Sequence, residues 1–167
     1  ANSTYGRTTM MSILSVGLLC TVLICAVTIR ETVTQLRTEC DMDALTQILN
    51  RRAFHEAAQQ RLANKQLYPM TILAVDIDYF KRINDTWGHG RRDEVLLLVS
   101  SILKRNVLSQ DLVARFGGEE FVLLLTRLDL QGSEQVAQHI RQEIRDDKHV
   151  LTQGPGLTLS FGITSIV

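Results

Sequence analysis

The sequence predicts a mixed α/β (α+β) domain on a ferredoxin-type sheet with flanking helices, preceded by one transmembrane helix. Three observations predict it. From residue 43 onward, helix-period and strand-period segments follow in the order helix, strand, helix, strand, strand, helix, strand, which contains the split β-α-β-β-α-β pattern. Two short apolar strands meet at Gly117-Gly118 as a hairpin. An uncharged run from Met10 to Ile29, about 20 residues, has the length an α-helix needs to cross a bilayer core.

Residues 1–9 read as the end of an upstream, periplasmic region, and 10–29 as the membrane helix. A signal peptide fits less well, because its apolar core is usually only about 7 to 15 residues long. Arg7 lies on one side of the run and Arg30 and Arg37 on the other, so the positive-inside bias places the C-terminal flank in the cytoplasm. Residues 30–42 put Val33, Leu36 and Cys40 on one helical stripe. That stripe suits either a linker helix pairing with its own copy or a solvated connector.

The domain proper is expected over 43–167. Phe54, Ala57 or Ala58 and Leu62 share a face of a helix running from Asn50 to about Leu67. MTILAVDID, residues 70–78, is a β-rich run closed by two aspartates. A second helix spans about 92–106, with Val95, Leu96, Val99, Ile102 and Leu103 inward. DLVARF and FVLLL form the hairpin, 131–146 a third helix, and GLTLSFGIT, 156–164, a closing strand.

Composition narrows the function. The 167 residues carry 18 Lys+Arg and 18 Asp+Glu, a formal net charge of zero, without the basic surplus that binding to a polyphosphate backbone by counterion release requires. No nucleic acid is expected as a partner. Cys20, Cys25 and Cys40 form no CxxC pair and have no His at metal-ligand spacing, so neither a zinc site nor a disulfide framework is indicated. The first residue is Ala rather than Met, which reads as a processed chain or a fragment.

Chemistry concentrates at RFGGEEF, 115–121. Asp76 and Asp78 end a strand whose side chains alternate, so both are expected on one face. The split topology makes that strand a neighbour of the hairpin, bringing Asp76 toward Glu119 and Glu120. Clustered carboxylates repel, and a hard divalent cation bound to phosphate oxygens balances them. Gly117 and Gly118 are expected to supply positive φ in a tight turn and room for a ligand against the backbone.

DIDYFKRINDTWGHGRRDEVL (76–96), DALTQILNRRAF (43–54), RFGGEEF and LTLSFGIT, in this order over about 125 residues, resemble the GGDEF family of diguanylate cyclases, in its GGEEF variant. The sheet is one that polymerase palms and nucleotidyl cyclases share. The resemblance implies Mg²⁺ (or Mn²⁺) held by Asp76, the Ile77 carbonyl and Glu119, with Glu120 as a second acidic neighbour. It implies that backbone amides of Tyr79, Phe80 and Lys81 take the β- and γ-phosphates of GTP, with Lys81 adding a cation. Asn84 and Asp93 match the guanine-reading pair, and His89 sits where the family packs near the nucleotide, with a structural histidine as the other reading. The implied reaction condenses two GTP into cyclic di-GMP across a homodimer, in bacterial second-messenger signalling, with the catalytic domain on the cytoplasmic side of the inner membrane. A degenerate module that binds GTP or a partner protein without turnover is the other reading.

The chain departs from the family pattern in four places. Gln47 stands where the family often has Gly. Arg92 replaces the glycine of GHxxGD, where it either pairs with Asp93, crowds the base or turns outward. Leu108 replaces the arginine of the product-inhibition R-x-x-D motif beside Asp111. The family's final helix and strand are expected after Val167.

Overall fold

The computed structural model describes residues 17, 19–30, 41–147 and 156–166. Two compact units divide at Cys40 and Asp41. In the first, residues 19–30 form helix α1, with Leu19, Val22, Leu23, Ile24, Val27 and Ile29 all exposed. No helix among the described residues is long and apolar enough to cross a membrane. Residues 10–16 and 18 of the expected span, and 31–40 of the expected linker with its Val33, Leu36 and Cys40 stripe, lie outside the described residues.

The second unit is built on five strands: β1 (Leu49–Asn50), β2 (Met70–Ile77), β3 (Leu112–Arg115), β4 (Glu120–Thr126) and β5 (Leu159–Ile166). Their order is β1-β3-β4-β2-β5. β2 is antiparallel to both β4 and β5, β3 is antiparallel to β4, and β1 pairs parallel with β3. The order β3-β4-β2-β5 is the split β-α-β-β-α-β arrangement the periodicities predict, widened by one two-residue strand.

Alternation along β2 sorts its residues between two cores. Leu73, Val75 and Ile77 face helices α3 (Phe80–Arg105) and α4 (Leu130–Asp146), whose Leu96, Val99, Ile102, Leu103, Ile140 and Ile144 are fully or almost fully buried. Each such side chain contributes about 1.5–3 kcal/mol of burial free energy. Met70 and Ile72 face the other way, into a smaller core with Phe54, Ala57, Ala58 and Leu62 of α2 (Arg51–Leu62). Further along this second face, Ala74 and Asp76 are exposed.

Three boundaries differ from the sequence reading. α2 stops at Leu62, because Asn64 restarts the chain as a 3₁₀ turn, Lys65–Leu67, by accepting from the Gln66 N–H at 3.0 Å. β1 occupies the expected start of that helix, and Asn50 caps α2 by accepting from the Ala53 N–H at 3.0 Å. α3 begins at Phe80, immediately after the β2 turn, instead of at about 92. Twelve residues of straight helix would separate Phe80 from Arg92 by about 18 Å, yet the Arg92 guanidinium carbon lies 5.7 Å from the Phe80 ring centroid. The helix therefore does not run straight between them.

Candidate active site

The antiparallel register of β2 and β4 sets Asp76 directly opposite Glu120, and β5 sets Ser160 on its other side. The exposed carboxylates of Asp76 and Glu120 thus share a sheet face without a helix over them. Partial burial, then Glu120, then Asp78 push the Asp76 carboxyl above the ordinary carboxylate range. Glu119, half-buried, sits in the bend before β4, outside that register. Ile77 ends β2 with its side chain in the core, so only its backbone remains to serve the site.

Asp78 follows a different course from Asp76. It accepts from the hydroxyls of Ser160 and Thr158, both at 2.6 Å, and its N–H donates to the Thr158 carbonyl at 3.0 Å. The two hydroxyls, with Arg141 nearby, hold its carboxyl below the usual range despite partial burial. The second aspartate of DID thus fastens β5 to the end of β2.

The chain then turns through Tyr79 in the left-handed region, φ 57° and ψ 25°, and enters α3 without a side-chain cap or an acidic residue in the first turn. The first N–H groups of a helix lack intrahelical acceptors, so this end presents donors and partial positive charge beside the Asp76–Glu120 pair. Lys81 is exposed on that turn. Phe80 is 4% exposed and packs in the core, so its side chain is structural and only its backbone remains to serve the site. Asp93 is exposed, and Asn84 and His89 belong to α3, but the side chains of Asn84 and His89 lie outside the described residues.

The structure settles where Arg92 goes. Its guanidinium stacks over Phe80, and one of its terminal nitrogens lies 4.0 Å from where a side chain on Gly118 would begin. Among the described residues it forms no ion pair with Asp93.

Arg115 and Asp43, given no role from sequence, hold the hairpin. Arg115 donates from Nε to the Gly117 carbonyl at 3.0 Å, from Nη2 to the Gly118 carbonyl at 2.9 Å and from Nη1 to Asp43 Oδ1 at 3.1 Å. Burial opposes ionisation of Asp43, but Thr46, through hydroxyl and N–H, and Arg115 outweigh it and keep the carboxyl low. Both residues stand inside quoted motifs, yet sequence offers no sign that they meet across 72 positions.

The hairpin glycines correct one expectation: neither has φ in the left-handed region. Nor does space demand them: a side chain at 118 would meet only Arg92, at 4.0 Å. A side chain at 117 would start 2.5 Å from the movable Glu120 carboxylate. Left-handed φ falls instead at Gln47, φ 53°, as it does at Tyr79 and Arg127; at Gln47 it explains a glycine preference and costs this chain about 1 kcal/mol. Asp111 is also fully engaged, accepting from Leu108 N–H and from Thr126 N–H and hydroxyl at 2.8–2.9 Å.

An open cavity of about 450 Å³ lies against Asp76, Glu120, Ser160, Phe116, Val122 and Gly162. Among the described residues, no three Asp, Glu, His or Cys side chains converge to hold a metal by themselves. Paired carboxylates, with Asp76 held above its ordinary range partly by Glu120, fit a hard cation that takes its remaining ligands from a backbone carbonyl, water and phosphate, as Mg²⁺ does.

The comparisons agree with this geometry. Residues 40–167 match the family described as "Diguanylate cyclase, GGDEF domain". The chain is 39% identical over 129 residues to the diguanylate cyclase DosC of Escherichia coli K12, covering 76% of this chain and 28% of that protein. It is 40% identical over 133 residues to the E. coli K12 diguanylate cyclase DgcM, covering 77% of this chain and 32% of that protein. It thus spans about a third or less of these relatives' length. The crystal structure of the coiled coil and GGDEF domain of DgcB from Caulobacter crescentus, in complex with c-di-GMP, superposes with a TM-score of 0.74 at 30% identity, covering 89% of this chain and 81% of that one. The five-stranded sheet, the carboxylates at its hairpin and the match over residues 40–167 show that this chain belongs to the GGDEF family of diguanylate cyclase domains.

Proposed function

We propose that this chain is the catalytic part of a membrane-anchored diguanylate cyclase, condensing two GTP into cyclic di-GMP and two pyrophosphates as a homodimer. The observation that carries the reading is the Asp76–Glu120 pair beside the uncapped start of α3, within a GGDEF domain.

Phosphate oxygens of GTP lie against the N–H groups of the first α3 turn, with the Lys81 ammonium adding charge. Asn84 offers both donor and acceptor to guanine, and Asp93 accepts from its N1 and N2 hydrogens, which adenine lacks as a pair. Asp76, the Ile77 carbonyl and Glu119 would hold Mg²⁺ or Mn²⁺, with Glu120 alongside. Such an ion, when bound, lowers the pKa of the attacking hydroxyl and offsets charge on the phosphorus oxygens. The 3′-oxygen of each nucleotide bonds to the α-phosphorus of the other, and the α–β phosphoanhydride bond breaks. The bonding pair leaves with pyrophosphate and the hydroxyl proton passes to water.

One domain holds one GTP, so two copies must face each other. Residues 10–29 anchor the chain in the bacterial inner membrane, and 30–42 carry the linker to residues 43–167 in the cytoplasm. Confinement raises the encounter frequency of two domains without any new contact.

The test incubates the chain, in detergent, with GTP and Mg²⁺ and measures cyclic di-GMP. Product is expected, with Asp76→Asn and Glu119→Gln each reducing turnover at least about a hundredfold, the scale of losing a key electrostatic contact in the transition state. GTP binding without product would sink the enzymatic reading in favour of a binding module.

A further inference from the structure

We propose that Arg92 is a phosphate-gripping residue of this chain's nucleotide site, clamping a phosphoryl oxygen between the start of α3 and the hairpin tip. The inference rests on the nucleotide-binding reading above and deepens it, because the resemblance expects glycine at this position and assigns it no contact.

Three placements converge on the guanidinium. It lies 5.7 Å from the ring centroid of Phe80, the residue whose N–H opens the uncapped α3. It reaches to 4.0 Å from the first side-chain position of Gly118, on the other wall of the site. Among the described residues it has no carboxylate partner, while the adjacent Arg91 is paired with Glu94 at 2.8 Å. A half-buried guanidinium with no anion of its own among the described residues, held between a helix start and a glycine tip, is poised to receive one.

The departure of α3 from a straight path makes this possible by bringing the Arg92 side chain to the Phe80 ring. The cation–π contact with Phe80 restricts where the guanidinium lies before ligand arrives, so less side-chain freedom is lost when it binds. Its fork then offers parallel N–H donors to phosphate oxygens, a geometry that an ammonium cannot reproduce. The bare hairpin glycine leaves the oxygens room to approach, since any side chain at 118 would begin against Arg92. The same orientation removes the reason to expect Arg92 to neutralise Asp93.

The test measures binding to the chain in detergent by calorimetry, with Mg²⁺ present, using a non-reacting α,β-methylene analogue of GTP, inorganic triphosphate and guanosine. Arg92→Gln is expected to weaken the analogue and triphosphate about tenfold and leave guanosine unchanged, with Arg92→Lys recovering part of the loss. Equal weakening of guanosine would assign Arg92 to the base pocket and overturn the proposal. Tighter analogue binding in Arg92→Gln would overturn it too, marking the guanidinium as an obstruction. Unaltered analogue and triphosphate affinity would show a residue outside the phosphate path, with the nucleotide reading intact. A wild type that binds none of the three probes would overturn the nucleotide reading, and this inference with it.

Discussion

Asp76 and Asp78, two positions apart on one strand end, respond to pH in opposite senses. Asp78 is held low by hydroxyl donors, so its contribution is present above the ordinary carboxylate pKa and is lost as pH falls through the depressed folded value. Asp76 is held high by burial and by its acidic neighbours, so the native state binds its proton more tightly than the unfolded chain does. Stability from this group therefore falls as pH rises from the ordinary carboxylate value through the raised one, and stays low above it. Asp76→Asn removes that loss. In metal-free protein, its melting temperature at neutral pH is expected to match or exceed the wild type's, with a shallower decline across the acid-to-neutral window, read by calorimetry. A variant that melts lower at neutral pH and retains the wild-type pH slope would show that Asp76 is not strained by its neighbours.

At the scale of elements, strand and helix periods were legible because burial imposes them. Val95, Leu96, Val99, Ile102 and Leu103 read as one stripe and are one buried stripe. Periodicity did not reveal that α3 starts at Phe80, since FKRINDTWGHGRRD is polar and glycine-containing and its helical state depends on the turn at Tyr79. Nor could spacing show that Arg115 ties the hairpin to Asp43, because this contact exists only once β1 lies beside β3. Asp43, Thr46 and Arg115 form one bonded unit bracing the Gly117–Gly118 hairpin. Arg115→Lys keeps the charge but removes the fork that reaches two carbonyls and a carboxylate together. Its expected effect is a stability loss of about 1–2 kcal/mol and roughly tenfold lower turnover with little change in KM, followed by chemical denaturation and steady-state kinetics. Unchanged turnover with reduced stability would make the clamp purely structural.

For the whole molecule, the pairing of the four longer strands and the nearness of Asp76 to Glu120 were legible because split β-α-β-β-α-β connectivity leaves few ways to pair four strands; the two-residue β1 was not. The role of Arg92 was closed to it, since three directions for one side chain differ only in the path of the backbone carrying it. The membrane assignment leads to a measurement on the intact chain. A reporter fused after Val167 should show cytoplasmic, not periplasmic, activity; an active periplasmic phosphatase there would reverse the proposed topology. A last consequence follows from β2 lying between β4 and β5. Its amides and carbonyls are paired on both sides, so Asp76 sits at the end of a segment that opens only when the domain unfolds. Glu120 is paired with Asp76 in the same ladder and its carbonyl accepts from the Phe116 and Gly117 N–H groups, which leaves Glu119 in the bend outside the ladder. The two facing carboxylates are therefore seated on paired backbone before any ligand arrives, and the ordering that a ligand must supply falls on Glu119 alone.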